Sequence, residues 1–186
     1  FLSAIGPEDI PQGLRSIFQG GYETLDLSLI EMKNAGDRAL AFNDVVVHKP
    51  DGGSVVRLAY STGGVDFDAI SCDGLVLSTP AGSTAYNLSN GGPLLSLSLD
   101  ALALTAIAPH TLQFRAMVMG PTEKLVIRNE TIGSAAAIYV DGRNHGLLAS
   151  GGSLKLSMAP QKAHLVKPPG ADFYLNLRDR FIQPPR

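Results

Sequence analysis

Glycine-rich turns recur along this chain at short, regular intervals, and nothing else constrains its fold as much. Asn34-Ala35-Gly36-Asp37, Asp51-Gly52-Gly53, Thr62-Gly63-Gly64 and Asp141-Gly142 each separate runs of alternating or β-branched residues. Leu25, Leu27 and Leu29 alternate with Thr24, Asp26 and Ser28. Residues 39–42, 45–47, 55–60 and 65–70 are short strand-like runs between the turns. Turn signals at this spacing predict an antiparallel meander rather than a parallel sheet alternating with helices. Further strands are expected at 75–77, 114–119, 124–128, 135–140 and 163–166, with Leu154, Leu156 and Met158 alternating along another. Residues 99–108 mix Leu, Ala and Thr without a clean period. The expected fold is all-β, a sandwich of many short antiparallel strands with a few short helices.

Helices are expected at three places. Over 7–19, Ile10, Leu14, Ile17 and Phe18 share one face, with Pro7 and Pro11 near the start and Gly20-Gly21 as the stop. A second follows the strand at 75–77, capped by Ser83 or Thr84 and stopped by Gly91-Gly92. A third begins at Asp172 after Pro168-Pro169-Gly170, with Phe173, Leu177 and Phe181 on one face and a tail from Gln183. The segment at 1–5 resembles the end of a strand. The chain opens on Phe1 and carries no signal-peptide pattern, which suggests a piece of a longer protein.

Net charge is −2, and no block of Lys or Arg stands out, so nucleic acid is not an expected partner. No apolar run reaches the roughly 18 residues of a membrane span. Cys72 is the single cysteine, which rules out an internal disulfide and a cysteine-based zinc site and suits a reducing setting.

Chemistry concentrates in residues 73–93. A strand enters a turn of small and hydroxyl residues, and the turn opens a helix. Backbone N–H groups and hydroxyls then face one spot, which suits a polar or anionic ligand. The order is Asp73-Gly74, then Ser78-Thr79-Pro80-Ala81-Gly82-Ser83-Thr84-Ala85-Tyr86, then Gly91-Gly92-Pro93. This run resembles the signature of the NAD kinase family. Weaker likenesses are Asn43-Asp44 before Val45-Val46-Val47, Ala108-Pro109-His110, Arg115 with Val118, Asp141-Gly142, and 173–181 as a closing helix.

The resemblance implies the C-terminal, NAD-binding domain of a cytoplasmic enzyme. In this reading 1–20 connect from an N-terminal α/β domain, 21–168 form the NAD-binding sandwich, and 169–186 are a helix and tail that pack on that other domain. Family members transfer a phosphoryl group from ATP or polyphosphate, with Mg²⁺ or another divalent cation, to the adenosine ribose 2′-hydroxyl of NAD. A homo-oligomer, dimer or tetramer, is implied.

On its own Asn43 is a turn former, but its amide has both a donor and an acceptor for adenine, and the resemblance gives it that role. Asp44 would accept from ribose hydroxyls; many relatives have Glu here, one methylene longer. Asp73 would contact the nicotinamide side. Thr84 would bond the adenine ring, with Ala81 and Ala85 beside it; where relatives carry Thr or Ser, Ala81 offers no hydroxyl. Tyr86 would offer an aromatic face, or else simply pack in the core. Ser89, a helical turn from Ala85 and Tyr86, would reach the same ligand. Ala108 would complete the nicotinamide pocket of a neighbouring subunit. Asp141 reads equally as a hairpin turn and as a ligand neighbour.

The family's Gly-Gly-Asp-Gly motif, which cradles donor phosphates and supplies the base, does not occur in these 186 residues. Neither a P-loop nor Gly-x-Gly-x-x-Gly occurs. The piece alone is therefore expected to be inactive. Two alternatives stay open: a non-catalytic NAD(P)-binding module, and a lipid kinase of the same superfamily.

Overall fold

The computed structural model describes residues 6–50, 53–167 and 173–178. The expected strand end at 1–5, the Asp51-Gly52 part of a turn, the Pro168-Pro169-Gly170 break, the Asp172 cap, Phe181 and the tail lie outside the described residues. Two compact units are distinguished: Ser28–Lys162, and the terminal segments Phe1–Leu27 with Ala163–Arg186.

The strands form a two-sheet β-sandwich, all but the first residues of β1 and the last of β12 within the larger unit. Strands β1 (Glu23–Asn34), β2 (Asp37–Ala41), β4 (Val56–Thr62), β5 (Val65–Cys72), β9 (Lys124–Asn129) and β12 (Ser153–Lys167) form one sheet. Its order is β2-β1-β12-β9-β4-β5. The other comprises β3 (Asp44–His48), β6 (Gly74–Ser78), β7 (Leu102–Ile107), β8 (Met117–Met119), β10 (Ala136–Val140) and β11 (Arg143–Leu148). Its order is β11-β10-β3-β6-β7-β8. Ile30, Leu58, Ile127 and Leu154 of the first sheet meet Val47, Leu75, Leu104 and Ile138 of the second in one buried cluster. Side chains at every second position fill this layer, as the pleat of a strand requires.

The hairpins form where the glycines stand. Ala35 and Gly36 have φ of 46° and 101° and join Asn34 to its partner Asp37. Gly63 and Gly64, with φ of 58° and 78°, join Thr62 to Val65. Two positive φ values in a two-residue loop match the right-handed twist of the flanking strands. The sheets are not a simple meander, however. β3 pairs with both β6 and β10, and β9 bridges β4 and β12, so the hairpins interleave through long-range ladders. β7 explains the run without a clean period: all six of its residues are buried, so neither face had to be polar. β12 is one continuous strand across Pro160, where two were expected. Its register with β9 ends at Ser157, so the missing Pro160 N–H costs that ladder nothing.

In the smaller unit, a 3-10 turn at Pro7–Asp9 leads into helix α1 (Ile10–Phe18). The apolar face is present but uncovered: Phe18 is 86% exposed, and no residue of α1 is buried. Helix α3 (Phe173–Leu177) buries Leu177. Glu23 pairs with Lys167 at 2.6 Å, and Asp26 with His164 at 2.6 Å.

Candidate functional site

The site lies on the outer face of the second sheet, and its geometry begins with the bend between β2 and β3. Asp141, in the turn after β10, accepts hydrogen bonds from the backbone N–H groups of Phe42 at 2.8 Å, Asn43 at 2.6 Å and Asp44 at 3.2 Å. Its own N–H donates to Asp44 O at 3.0 Å. One carboxylate thus fixes the start of β3. It does so from a left-handed backbone, φ 49°, which Asp tolerates better than most residues. Asp141 therefore is the hairpin residue its dipeptide suggested, and it also borders the cleft.

The facing wall comes from the strand–turn–helix after β6. Thr79 Oγ1 donates to Phe42 O at 2.7 Å and accepts from Gly82 N at 3.0 Å, while Thr79 N donates to Asn43 O at 2.9 Å. Gly82 is pressed so closely on Asn43 that a Cβ there would sit 2.0 Å from the Asn43 carbonyl oxygen. Residues Ala81–Thr84 form a 3-10 turn, and helix α2 is the single turn Tyr86–Ser89. Neither Ser83 nor Thr84 caps α2, contrary to expectation. Ser83 Oγ donates to Pro80 O and accepts from Leu95 N, and Thr84 Oγ1 donates to Ala81 O, so both hydroxyls are spent inside the turn. Gly91, at φ 74°, does end α2. Asn87 anchors the wall from below. Its Nδ2 donates to Ser83 O and Pro93 O, and its Oδ1 accepts from Thr105 Oγ1 of β7.

Between these walls is a cleft of about 410 Å³ lined by Asn43, Asp44, Val46, His48, Ala85, Tyr86, Tyr139, Asp141 and Gly142. Two features of it point to a polar ligand. Asn43 Oδ1 is buried with no hydrogen-bond partner among the described residues. Such an atom forfeits its water without replacement, an arrangement that persists where a ligand donor completes it. Beside it, Asp44 is only 5% exposed, and burial, followed by the Asp141 charge, pushes its carboxyl up to about 6. Tyr86 is 40% exposed, so its ring borders the cleft and is no core residue.

The structure thus brings together Asn43, Asp44, Ala85, Tyr86 and Asp141. The other five expected residues are not among the residues that line the cleft. Asp73 sits at the opposite end of β6 and pairs with Lys49 at 2.9 Å. Ala81 is buried in the 3-10 turn, Thr84 is half-buried, and Ser89 stands at the end of α2, outside the cleft lining. Ala108 is exposed after β7 in a left-handed conformation, φ 43°. Val46, His48, Tyr139 and Gly142 also line the cleft; Val46 and Gly142 stand in the motifs quoted above, but none of the four was expected as a site residue. A signal for two of them was available: with Asp44 on the outer face, the period of two puts Val46 and His48 there as well.

Cys72 is buried, and desolvation pushes its thiol up to about 12, which makes it a packing residue. Among the described residues no three His, Cys, Asp or Glu side chains gather as a metal site would require. No helix among them is long and apolar enough to cross a membrane.

An antiparallel sandwich with a cleft on one outer face, lined by polar groups and two tyrosine rings, has the form of a small-molecule site. Residues 42–168 match the family of the ATP-NAD kinase C-terminal domain, and the chain belongs to that family. It is 31% identical to the NAD kinase of Gemmatimonas aurantiaca, over 97% of this chain and 64% of that protein. With the NAD kinase of Ralstonia nicotianae the identity is 36%, over 97% and 61%. The chain therefore spans about three fifths of the length of these curated relatives. Among solved structures, yeast NADH kinase complexed with NADH superposes with a TM-score of 0.88 at 20% identity, covering 100% of this chain and 59% of that one. An NAD kinase from Archaeoglobus fulgidus in complex with ATP gives 0.79 at 23%, covering 93% and 67%. At these identities the two structures establish the shared fold.

Proposed function

We propose that this chain is the acceptor-binding part of an NAD kinase, holding NAD while a phosphoryl group from ATP or polyphosphate is delivered to its adenosine ribose 2′-hydroxyl. The observation that carries the reading is the unpartnered Asn43 Oδ1 beside the Asp44 carboxyl and the exposed Tyr86 ring. Adenine presents an amino donor next to a ring acceptor, which the Asn43 amide complements with its oxygen and Nδ2. Asp44 accepts from ribose hydroxyls, and Tyr86 covers a ring. Asp141 acts on the ligand indirectly, because its carboxylate is committed to the amides that aim Asn43 and Asp44. Asp73, Ala81, Thr84, Ser89 and Ala108 take their parts on the strength of the family resemblance, Ala108 in a neighbouring subunit of a homo-oligomer. A cytoplasmic location belongs to the same reading.

Phosphoryl transfer is mainly positioning and charge neutralisation around the donor phosphates. No group in the cleft supplies that: its ionisable members nearest Asn43 are two carboxylates. The divalent cation would travel with the donor and be held by its phosphates and by a Gly-Gly-Asp-Gly-bearing domain, to which 1–20 and 169–186 would connect. The sandwich itself would be 21–168. An apolar lipid acceptor is disfavoured by the same Asn43 and Asp44 atoms.

The test is direct. The chain should bind NAD by calorimetry, and Asn43→Ala should weaken that binding about 10- to 100-fold, the worth of one bidentate base contact. Incubated with NAD, ATP and Mg²⁺, the chain alone should form no NADP above a no-protein control. Equal NAD affinity in the Asn43 variant would overturn the assignment of the cleft.

A further inference from the structure

The far end of the cleft is formed by His48, which no motif singles out. On β3 the outer-face residues are Asp44, Val46 and His48, and four residues at about 3.3 Å each put roughly 13 Å between the two ends. The cross-strand neighbours differ along this face. Val46 lies between Tyr139 of β10 and Val76 of β6, whereas His48 lies between Ala137 and Gly74. Gly74 has no room for a side chain, since a Cβ would stand 2.3 Å from Val47 O. The cross-strand neighbours of His48 are therefore Ala137 and Gly74, with the Ile107 side chain reaching over Gly74.

Its tautomer is fixed by its neighbour. His48 Nδ1 lies 2.7 Å from Lys49 O, and a carbonyl can only accept, so Nδ1 carries the proton. In the neutral ring Nε2 is then a hydrogen-bond acceptor, and among the described residues it has no partner. The Lys49 ammonium and the Asp73 carboxylate, next along these two strands, are paired with each other at 2.9 Å and are not part of the cleft lining.

We infer that His48 is a specificity-determining residue that reads the carboxamide N–H₂ of the second ring of a bound dinucleotide. The inference rests on NAD occupying the cleft with its adenosine at Asn43 and Asp44. An acceptor at the far end favours the amide and disfavours the corresponding acid, nicotinic acid adenine dinucleotide, whose carboxylate has no N–H to give. ADP-ribose, which lacks the ring, is indifferent to His48.

Calorimetry decides this with three probes: NAD, nicotinic acid adenine dinucleotide and ADP-ribose. The wild-type chain should prefer NAD over the acid about tenfold or more, since a site built to accept from an N–H penalises a ligand without one. His48→Asn keeps a donor for Lys49 O but has no counterpart of Nε2. It should bring the two dinucleotides to within about twofold while leaving ADP-ribose affinity unchanged. His48→Leu should do the same, with far-UV circular dichroism and melting confirming that each variant is folded. An unchanged NAD-to-acid ratio in the variants overturns the inference and leaves the adenosine end intact. So does a parallel loss for all three probes, which would make His48 a structural residue. Failure of the wild-type chain to bind ADP-ribose would remove the adenosine assignment itself, and this inference with it.

Discussion

Asp44 enters the cleft as the first residue of β3 with its carboxyl held near a pKa of 6, and its titration gives the site a pH signature. In the unfolded chain the same group titrates near 3.9. The folded state thus holds the proton more tightly, and stability falls as pH rises from about 4 to about 6. Above that range the whole penalty applies, roughly 2–3 kcal/mol for a shift of this size. Asp44→Asn should melt above wild type at pH 8 and with it at pH 3.5, as followed by thermal denaturation across that range. Binding runs the other way. Ribose hydroxyls donate to the ionised carboxylate, so NAD affinity should climb through about pH 6 and level off, and Asp44→Asn should flatten that rise. A wild-type affinity that does not change between pH 5 and 8 would exclude Asp44 from contact with the ligand.

Asp141 poses a contest at a single residue. Asp141→Gly would relieve the left-handed backbone by about 1 kcal/mol, because glycine adopts that conformation freely. It would also remove the acceptor for three backbone amides, each worth about 1–3 kcal/mol when the acceptor is charged, less where water can replace it. The loss wins: we expect a net destabilisation of about 2 kcal/mol, the low end because these amides are near solvent, and a larger proportional loss of NAD binding, measured by denaturant melts and calorimetry on one preparation. Greater stability in the variant would show that backbone strain outweighs the three hydrogen bonds.

The strand–turn–helix after β6 works as an element because two backbones nearly touch. Gly82 is required by the Asn43 carbonyl, and no rotation of a side chain can make room for a methyl, since the obstacle is backbone. Gly82→Ala is expected to cost more than about 3 kcal/mol and to abolish NAD binding. Gly36→Ala, in the distant β1–β2 hairpin, meets no atom within 4 Å and pays for its φ alone, so about 1 kcal/mol is expected. Comparing the two melts separates close approach from backbone conformation. Most of this element's logic was hidden in the sequence. The run of small residues marked a turn, but helix periodicity made Ser83 and Thr84 look like caps. In the structure the pressure of Asn43 and the Leu95 amide draw those hydroxyls into a 3-10 turn instead. Ser89 looked equivalent to Tyr86 by helical spacing, yet α2 is one turn long and its last residue does not line the cleft.

For the whole molecule, turn glycines and alternating strands made the all-β sandwich legible, because local hairpins follow from local residue types. Which hairpins become neighbours was not legible. The order β11-β10-β3-β6-β7-β8 depends on which apolar faces meet, a matter of packing between segments far apart in the chain. The same holds for the site. Asn43-Asp44 and the 73–93 run were recognisable by residue order, and the strand period carries His48 onto the same face as Asp44, whereas Tyr139 joined them only through the pairing of β10 with β3. The exposed face of α1, with Ile10, Leu14 and Phe18 uncovered, is consistent with the connecting role proposed for 1–20.

The Asp141 clamp joins residues 97 to 99 positions apart in the chain. Closing so long a loop is entropically slow, and chains dominated by such distant pairings reach their native state late. The hairpins can form early, but the mouth of the cleft cannot exist until β10 has found β3. In a stopped-flow refolding experiment, the recovery of NAD binding should therefore coincide with the slowest structural phase and be absent from the burst that forms the first strands. A chain caught before that phase would have most of its sheet and none of its affinity, and added NAD would slow its unfolding without hastening its folding.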